Sequence, residues 1–486
     1  MEYDAVIGLE THVQLKTKSK MWCGCSNEFG APPNTNVCPV CLGLPGVLPV
    51  ANEEALRLTA LTGLLLNCAV SRHAKFDRKN YFYPDVPKNY QITQYADPST
   101  VNGHVEFECG GGISRVRITR AHLEEDVGKN FHFERNSGVD FNRAGVPLLE
   151  IVSEPDITSA EMAYEYLNAL KDILTYGGVS DCDMEKGMVR CDVNVSVRPK
   201  GAKELGAKIE IKNMNSFTGA RKALEYEIPR QIEVLEGGGK LIQSTRRWDD
   251  VAGVTEEMRT KEHAHDYRYF PEPDLMPFVP ADEWLAEVRK RMVELPLARK
   301  QRFMRDYLLT KDQAETFKSD VEAGDYFEKC AAELLAGNPS VDSKALDLRG
   351  VANTVIQQYR PRLLAKNRSW AALAPLIPSA AGVTIPFLRG VISSVGYQQV
   401  IDEMFETGRT DPDAIISDKG LKQVSDTGAI EKFCDEVIAA NPGPVADFKN
   451  GKTAALNFLK GQVMKLSKGR ANPALAGQIL ENKLKS

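Results

Sequence analysis

The segment "MWCGCSNEFGAPPNTNVCPVCLGLPG" (21–46) holds four cysteines, Cys23 and Cys25 as C-x-C and Cys38 and Cys41 as C-x-x-C. Such short spacings let each pair chelate from a turn, and four thiolates complete the tetrahedral shell of a structural zinc site. Gly24, Gly30, Pro32, Pro33, Pro39 and Gly43 supply the tight backbone. A shell filled by sulfur leaves no open position for Lewis-acid chemistry, so this centre is expected to hold structure. A second set is acidic: Glu10 beside His12 in "VIGLETHVQL", Glu124, Glu125 and Asp126 in "HLEEDVGK", and Glu150 and Glu154 in "VPLLEIVSEPD". Mg²⁺ takes hard oxygen ligands and keeps water and substrate phosphate. Carboxylates flanked by Arg and Lys could therefore hold Mg-ATP without a glycine loop, although solvated sheet faces have the same composition.

These groups must be placed by strands. "VRCDVNVSVR" alternates with period two, setting Val189, Cys191, Val193, Val195 and Val197 against Arg190, Asp192, Asn194, Ser196 and Arg198. "AKIEIKN" sets Ile209 and Ile211 against Lys208, Glu210 and Lys212, and "VIGLETHVQL" sets Ile7, Leu9, Val13 and Leu15 against Gly8, Glu10, His12 and Gln14. Strands with one apolar and one polar face suit an antiparallel sheet packed on one side, with its charged face forming a cup. Helices are expected over 53–66, from an N-cap at Ser159 to about Tyr176, and over 220–235 before Gly237, Gly238 and Gly239. After Pro296 the texture is helical, and a Gly/Asp/Pro cluster at 408–413 marks a further boundary.

At 486 residues the chain is too long for one ordinary core. Its 43% hydrophobic and 26% charged residues are those of a soluble globular protein. Neither an uninterrupted apolar run of membrane-spanning length nor a secretory signal is found, so a cytoplasmic protein with no membrane partner is expected. In that setting ten cysteines read as thiols and metal ligands, with Cys68, Cys109, Cys182, Cys191, Cys330 and Cys434 as small buried hydrophobes. The net charge of −5 is uneven: residues 441–486 carry eight Lys or Arg against two acids, a net of +6, which leaves −11 on the rest. A basic tail on an acidic body points to a polyanionic partner.

Some motifs fail. "NGKTAALN" ends like a phosphate loop at Gly451, Lys452 and Thr453, but Ala446 stands where its first glycine is required. His263 and His265 lack a third spaced ligand and read as loop histidines. No G-x-S-x-G elbow is present, so a hydrolytic nucleophile is not expected here.

The blocks "YDAVIGLETHVQL", "KFDRKNYFYPDVPKNYQITQY", "ITRAHLEEDVGK", "DFNRAGVPLLEIVSEPD", "VRCDVNVSVRP", "KIEIKNMNSF", "HDYRYFPEPDL" and "GQVMKLSKGRANP" together resemble the B subunit of the tRNA-dependent amidotransferases that make Gln-tRNA(Gln) or Asn-tRNA(Asn). The resemblance runs the length of the chain and fits the heterotrimeric bacterial type, since no room remains for the archaeal insertion. It implies an α+β protein. A cradle resembling glutamine synthetase and guanido kinases would span 1–293, a helical domain 294–407, and a basic YqeY-like tail 408–486. It also implies the reaction: ATP phosphorylates the side-chain carboxylate of mischarged Glu-tRNA(Gln) or Asp-tRNA(Asn), and ammonia displaces phosphate. The ammonia would come through a channel from a glutaminase A subunit, with a small C subunit clamping the two. A separate amidase chain accounts for the missing hydrolytic nucleophile.

Carried over by position, His12, Glu125 and Glu150 match the family's metal-binding residues, with Glu10 beside His12 and Mg²⁺ as the ion. Strand parity adds Asp192 as a metal or ATP contact, and Arg190, Ser196, Arg198, Lys208, Glu210 and Lys212 as phosphate or substrate contacts. Lys79 and Lys88 resemble polar residues near the arriving ammonia, although surface lysines would look the same. In the tail, Lys460, Lys465, Lys468 and Arg470 are the expected tRNA contacts, beside an apolar stripe of Leu456, Leu459, Val463 and Leu466. Family members without the four cysteines imply a structural zinc. Two rival readings remain: a stand-alone ATP-dependent ligase related to glutamine synthetase, and a non-catalytic tRNA-binding scaffold.

Overall fold

The computed structural model describes residues 2–260, 267–337, 341–423, 427–467 and 471–485. Within them the chain divides into two compact units, Met1–Leu297 and Ala298–Ser486.

The strands of the first unit are β1 (Tyr3–Gln14), β2 (Ala69–Val70), β3 (Asp77–Asn80), β4 (Tyr90–Thr93), β5 (Thr100–Cys109), β6 (Gly112–Glu125), β7 (Lys129–His132), β8 (Ser137–Asp140), β9 (Pro147–Ser153), β10 (Val189–Pro199), β11 (Ile209–Lys212), β12 (Ser244–Asp249), β13 (Val254–Thr260) and β14 (Arg268–Pro271). Nine of them form one sheet in the order β13-β12-β11-β10-β1-β9-β6-β5-β2, and β14-β3-β4 and β7-β8 form smaller sheets. In the large sheet only β11 and β12 run parallel.

One face of the large sheet is the core. Ile7, Leu9 and Val13 of β1, Leu149 and Ile151 of β9, and Val193 and Val195 of β10 are buried with Leu58, Leu61, Tyr166, Leu167, Ala223 and Leu224. The latter come from helices α1 (Glu53–Leu65), α2 (Ala160–Tyr176) and α3 (Phe217–Glu236). Their caps are local: Asn52 accepts from the amides of Glu54 and Ala55, and Ser159 from that of Met162. Each fully buried aliphatic side chain contributes about 1.5–3 kcal/mol. A one-residue slip of β1 would exchange Ile7, Leu9 and Val13 for Gly8, Glu10 and His12, so the core fixes which residues face outward.

Among the described residues no strand follows β14, and the rest is helical. One apolar cluster runs from Phe303 to Ile416, and another from Ile430 to Leu484. The stretch Trp370–Leu388 is long and apolar enough to cross a membrane by length and composition. Its Leu373, Leu376, Ala380 and Val383 are buried in the first of these clusters. In the second, Leu459 and Val463 are buried and Leu456 packs against them, as the stripe predicts. Leu466 departs from it, 43% exposed where its helix, Ala454–Leu466, ends. Lys452 follows another short helix, Pro442–Lys449, rather than a strand, and pairs with Asp447. His263, His265, Lys468 and Arg470 lie outside the described residues.

Candidate active site

Register builds the acidic site. On β1 His12 stands opposite Glu150 of β9 and Arg190 of β10, and on β6 His122 stands opposite Glu150. Directly opposed residues of an antiparallel pair share a face, so Arg190, His12, Glu150 and His122 form one row across four strands. Glu124, two residues on from His122, shares that face. His12 Nε2 lies 3.7 Å from Glu124 Oε1 and 3.6 Å from Glu150 Oε2, and His122 Nε2 lies 3.4 Å from Glu150 Oε2.

The trio brought together here, His12, Glu124 and Glu150, differs from the expected one. Glu125 does not join His12 and Glu150, because one step along β6 turns its side chain to the core-facing parity. There it is buried, paired through both oxygens with Lys88, and accepts the Ile92 amide at 2.9 Å. Glu124 occupies the place expected of it. Parity carried the signal: Leu123 is a core residue, so Glu125 follows it and Glu124 does not. The same count would have found His122.

Charge is uneven within the group. Burial, with Glu150 nearby, pushes Glu124 up to about 7 against the pull of His12 and Lys79. Burial also opposes ionisation of Glu150, but His122, His12 and Lys79 hold it well below the usual carboxylate range. Burial alone would lower His12, yet its hydrogen bond to Glu150 and the charges of Glu124, Glu150 and Asp192 raise it. Burial takes His122 down to about 4. Lys79, on β3, is raised over its own desolvation by Glu124, with Glu150 adding to the effect. The ligand atoms of His12, Glu124 and Glu150 all lie within 4.8 Å of one another. Glu124 Oε2 is buried without a hydrogen-bond partner. Two carboxylates with an orphaned oxygen suit a divalent cation. The two carboxylates are the oxygen ligands that Mg²⁺ and Mn²⁺ take, while the imidazole is a ligand more characteristic of Zn²⁺.

The neighbouring row continues the face. Glu10 stands opposite Asp192 and accepts from Asn194 Nδ2 at 2.9 Å. Lys212 pairs with Asp192 and, at 3.1 Å, with Glu210. Gly8, Glu10, Asn194, Ser196 and Lys208 line a cavity of about 250 Å³. Arg198 lies apart at the far end of β10, its guanidinium on the Lys203 carbonyl at 3.4 Å. Arg190 turns to Asp126, donating at 2.9 Å to a carboxylate that Gln14 also reaches. Burial would raise Asp126, but Arg190 and Arg143 lower it.

The four cysteine sulfurs also lie within 4.8 Å of one another, and Cys38 Sγ and Cys41 Sγ are 3.9 Å apart. Four sulfurs at 2.3 Å from a tetrahedral zinc would be about 3.8 Å apart, so the donor set fits that ion. The Cys38 amide donates to Cys41 Sγ at 3.1 Å. A residue absent from the sequence reading, Lys20, is wholly buried with Nζ 3.7 Å from Cys41 Sγ and 3.2 Å from the Phe141 carbonyl. A hydrogen bond from Cys23, helped by Lys20, takes Cys41 down to about 4, while burial takes Cys25 up to about 11.

The domain described as the GatB/GatE catalytic domain matches residues 5–286, which contain both centres, and the GatB domain matches 340–484. The chain belongs to the GatB/GatE family. It is 50% identical to the B subunit of the aspartyl/glutamyl-tRNA(Asn/Gln) amidotransferase of Thermoanaerobacter sp. (strain X514), over all of both chains. It is 52% identical to the B subunit of the same amidotransferase from Carboxydothermus hydrogenoformans over 99% of each, and 50% identical to that from Methylacidiphilum infernorum over 100% of this chain and 99% of the relative. As a GatB/GatE chain it carries the carboxylate face within the catalytic match, and Lys460 and Lys465 within the second.

Proposed function

We propose that this chain is the B subunit of an aspartyl/glutamyl-tRNA(Asn/Gln) amidotransferase that works in the cytoplasm with a glutaminase A subunit and a small C subunit. It phosphorylates the side-chain carboxylate of Glu-tRNA(Gln) or Asp-tRNA(Asn) with ATP and converts it to the amide with ammonia delivered from the A subunit. The convergence of His12, Glu124 and Glu150 on the polar face of a sheet, in a chain of this family, carries the reading. A cradle like that of glutamine synthetase and the guanido kinases over 1–293, a helical domain over 294–407 and a tRNA-binding tail over 408–486 complete it.

A carboxylate is a poor acyl donor because ammonia would have to expel oxide, whereas an acyl phosphate offers phosphate as leaving group. Phosphoryl transfer asks for positioning and charge neutralisation more than covalent help. His12, Glu124 and Glu150 would hold Mg²⁺, with Glu10 beside them; the ion supplies charge neutralisation on the ATP phosphates. Lys212, placed by Asp192 and Glu210, and Arg190, placed by Asp126, bring positive charge to the same face. Ser196 and Lys208 offer donors from the adjoining cavity. Lys79 sits where its ammonium faces Glu124 and Glu150, and Lys88 with Glu125 forms a second charged pair beside the arriving ammonia.

The test is to co-purify the chain with its partners and assay amidation of both mischarged tRNAs, with and without ATP and glutamine. Amidation that needs both, and is lost in Glu124→Gln and Glu150→Gln with tRNA binding retained, is the expected result. ATP turnover without tRNA would instead make the chain a stand-alone ligase. Full amidation in both variants would make it a scaffold.

A further inference from the structure

The cysteine loop touches Lys88. After Cys38–Cys41 the chain turns tightly, with the amides of Leu42, Gly43 and Leu44 donating to the carbonyls of Cys38, Val40 and Pro39. Gly43 stands at φ +66°, where side chains are rare. A Cβ there would lie 2.5 Å from Lys88 Cγ and 3.2 Å from Lys88 Cα, so the turn presses on both the stem and the backbone of this lysine. From the other side, a Cβ on Gly145 would meet Cys41 Cβ and Lys20 Cδ at 3.6 Å and Glu125 Oε2 at 3.9 Å. Cys41, Lys20, Gly145 and Glu125 are thus one packed stack.

Lys88 belongs to the irregular segment 81–89 between β3 and β4. Yet its pair with Glu125 is nearly closed to water, with side chains 10% and 5% exposed. A buried pair offsets the desolvation of its two charges only if its geometry is held. The turn at Gly43 and the stack at Gly145 supply that restraint.

We propose that the four-thiolate centre is the positioning element of the Lys88–Glu125 pair, with Gly43 as the positioning residue through which metal occupancy is felt. The claim rests on the amidotransferase reading only where ammonia is concerned. The Ile92 amide, which donates to Glu125 at 2.9 Å, reports the pair without any reaction.

The experiment is amide hydrogen exchange on the full chain, zinc-loaded, stripped by a chelator under reducing conditions, and reloaded. Stripping should speed exchange at Ile92 about tenfold or more while the β5–β6 ladder around Val105 and Val116 keeps its protection, and zinc should reverse it. Gly43→Ala with zinc retained should do the same. In the complex, that variant should raise KM for ammonium with little change in KM for ATP. Unchanged Ile92 protection in the stripped chain overturns the proposal. So does a uniform loss across the unit, which would make the centre a general staple. A wild-type complex that fails to amidate would sink the proposed function but leave the exchange result standing.

Discussion

The two centres of the first unit are made in opposite ways. The thiolates come from one stretch of nineteen residues, and their spacing nearly determines their meeting. The carboxylate face is assembled from His12, Glu124 and Glu150, which meet only because β1 and β6 both pair with β9. The first can form from a loop and a metal; the second exists only when β1, β9 and β6 are in register. A local site is therefore expected to fail locally, and a register-built site to survive anything that leaves the core intact but to lose function at one side chain.

The sharpest way to break this contrast is to compare neighbours on β6. Glu124→Gln should lower amidation roughly a thousandfold, because a cation that neutralises transferring phosphate supplies several kcal/mol. Its folding should be little changed, since Glu124 ionises at a cost in the metal-free protein. Glu125→Gln leaves Lys88 buried without its partner and should cost about 3 kcal/mol of stability, read by urea denaturation. It should retain the affinity for Mn²⁺ that Glu124→Gln loses, read by calorimetry. The opposite pattern would return the cation to Glu125, where the family resemblance puts it.

That pair also marks how far the sequence could be read. Alternation placed β1, β10 and β11 and their polar faces, and the N-cap at Ser159 opened α2 as expected. Parity put Glu10 with His12 on one strand face and Asp192 on the polar face of another, whereas Glu150 came from the family resemblance and its place opposite His12 is seen only in the pairing of β1 with β9. What escaped is what parity was not applied to: "HLEED" offers consecutive acids, and only the burial of Leu123 says which points outward. Lys20 escaped for another reason. A lysine three residues before a cysteine pair looks solvated, and nothing local shows that the loop at Phe141–Gly145, ahead of β9, closes over it.

The next effect concerns the cysteine loop. Cys38→Ser/Cys41→Ser should lose zinc, measured by elemental analysis, and about 2–5 kcal/mol of stability, comparable to removal of a structural cross-link. Amidation should stay measurable in folded protein, with its defect in KM for ammonium. Complete inactivity of a well-folded variant would make the thiolate centre part of the chemistry and erase the distinction.

A smaller effect tests the electrostatics of the carboxylate face. Glu124 titrates near 7 without a cation, above the ordinary carboxylate value, so at pH 6 it holds a proton that a cation must displace. Affinity for Mn²⁺ should therefore rise as pH rises through 7. The binding heat at pH 6 should depend on buffer ionisation enthalpy, with up to about one proton released. Glu124→Gln should remove the buffer dependence. If it persists, the proton comes from His12, and the two carboxylates are both ionised before the ion arrives.

The smallest effect lies in the tail, where the signal is neither spacing nor parity but bulk charge. A net of +6 over 441–486 suggests phosphate contacts without saying which lysines make them. Lys452 and Lys485 pair with Asp447 and Glu481. The stem of Lys460 runs across a neighbouring helix, so that a Cβ at Gly477 would lie 2.4 Å from its Cε. Lys465 is exposed in the last turn of Ala454–Leu466. Lys465→Glu should thus weaken tRNA binding modestly and reduce the slope of log affinity against log salt by about 1, while Lys452→Glu, opposite Asp447, should change the slope less. Reversal of Lys465, Lys468 and Arg470 together should flatten it further. Equal slopes for all of these variants and the wild type would mean that the positive tail grips no phosphate, and that its charge balances the acidic body of the chain instead.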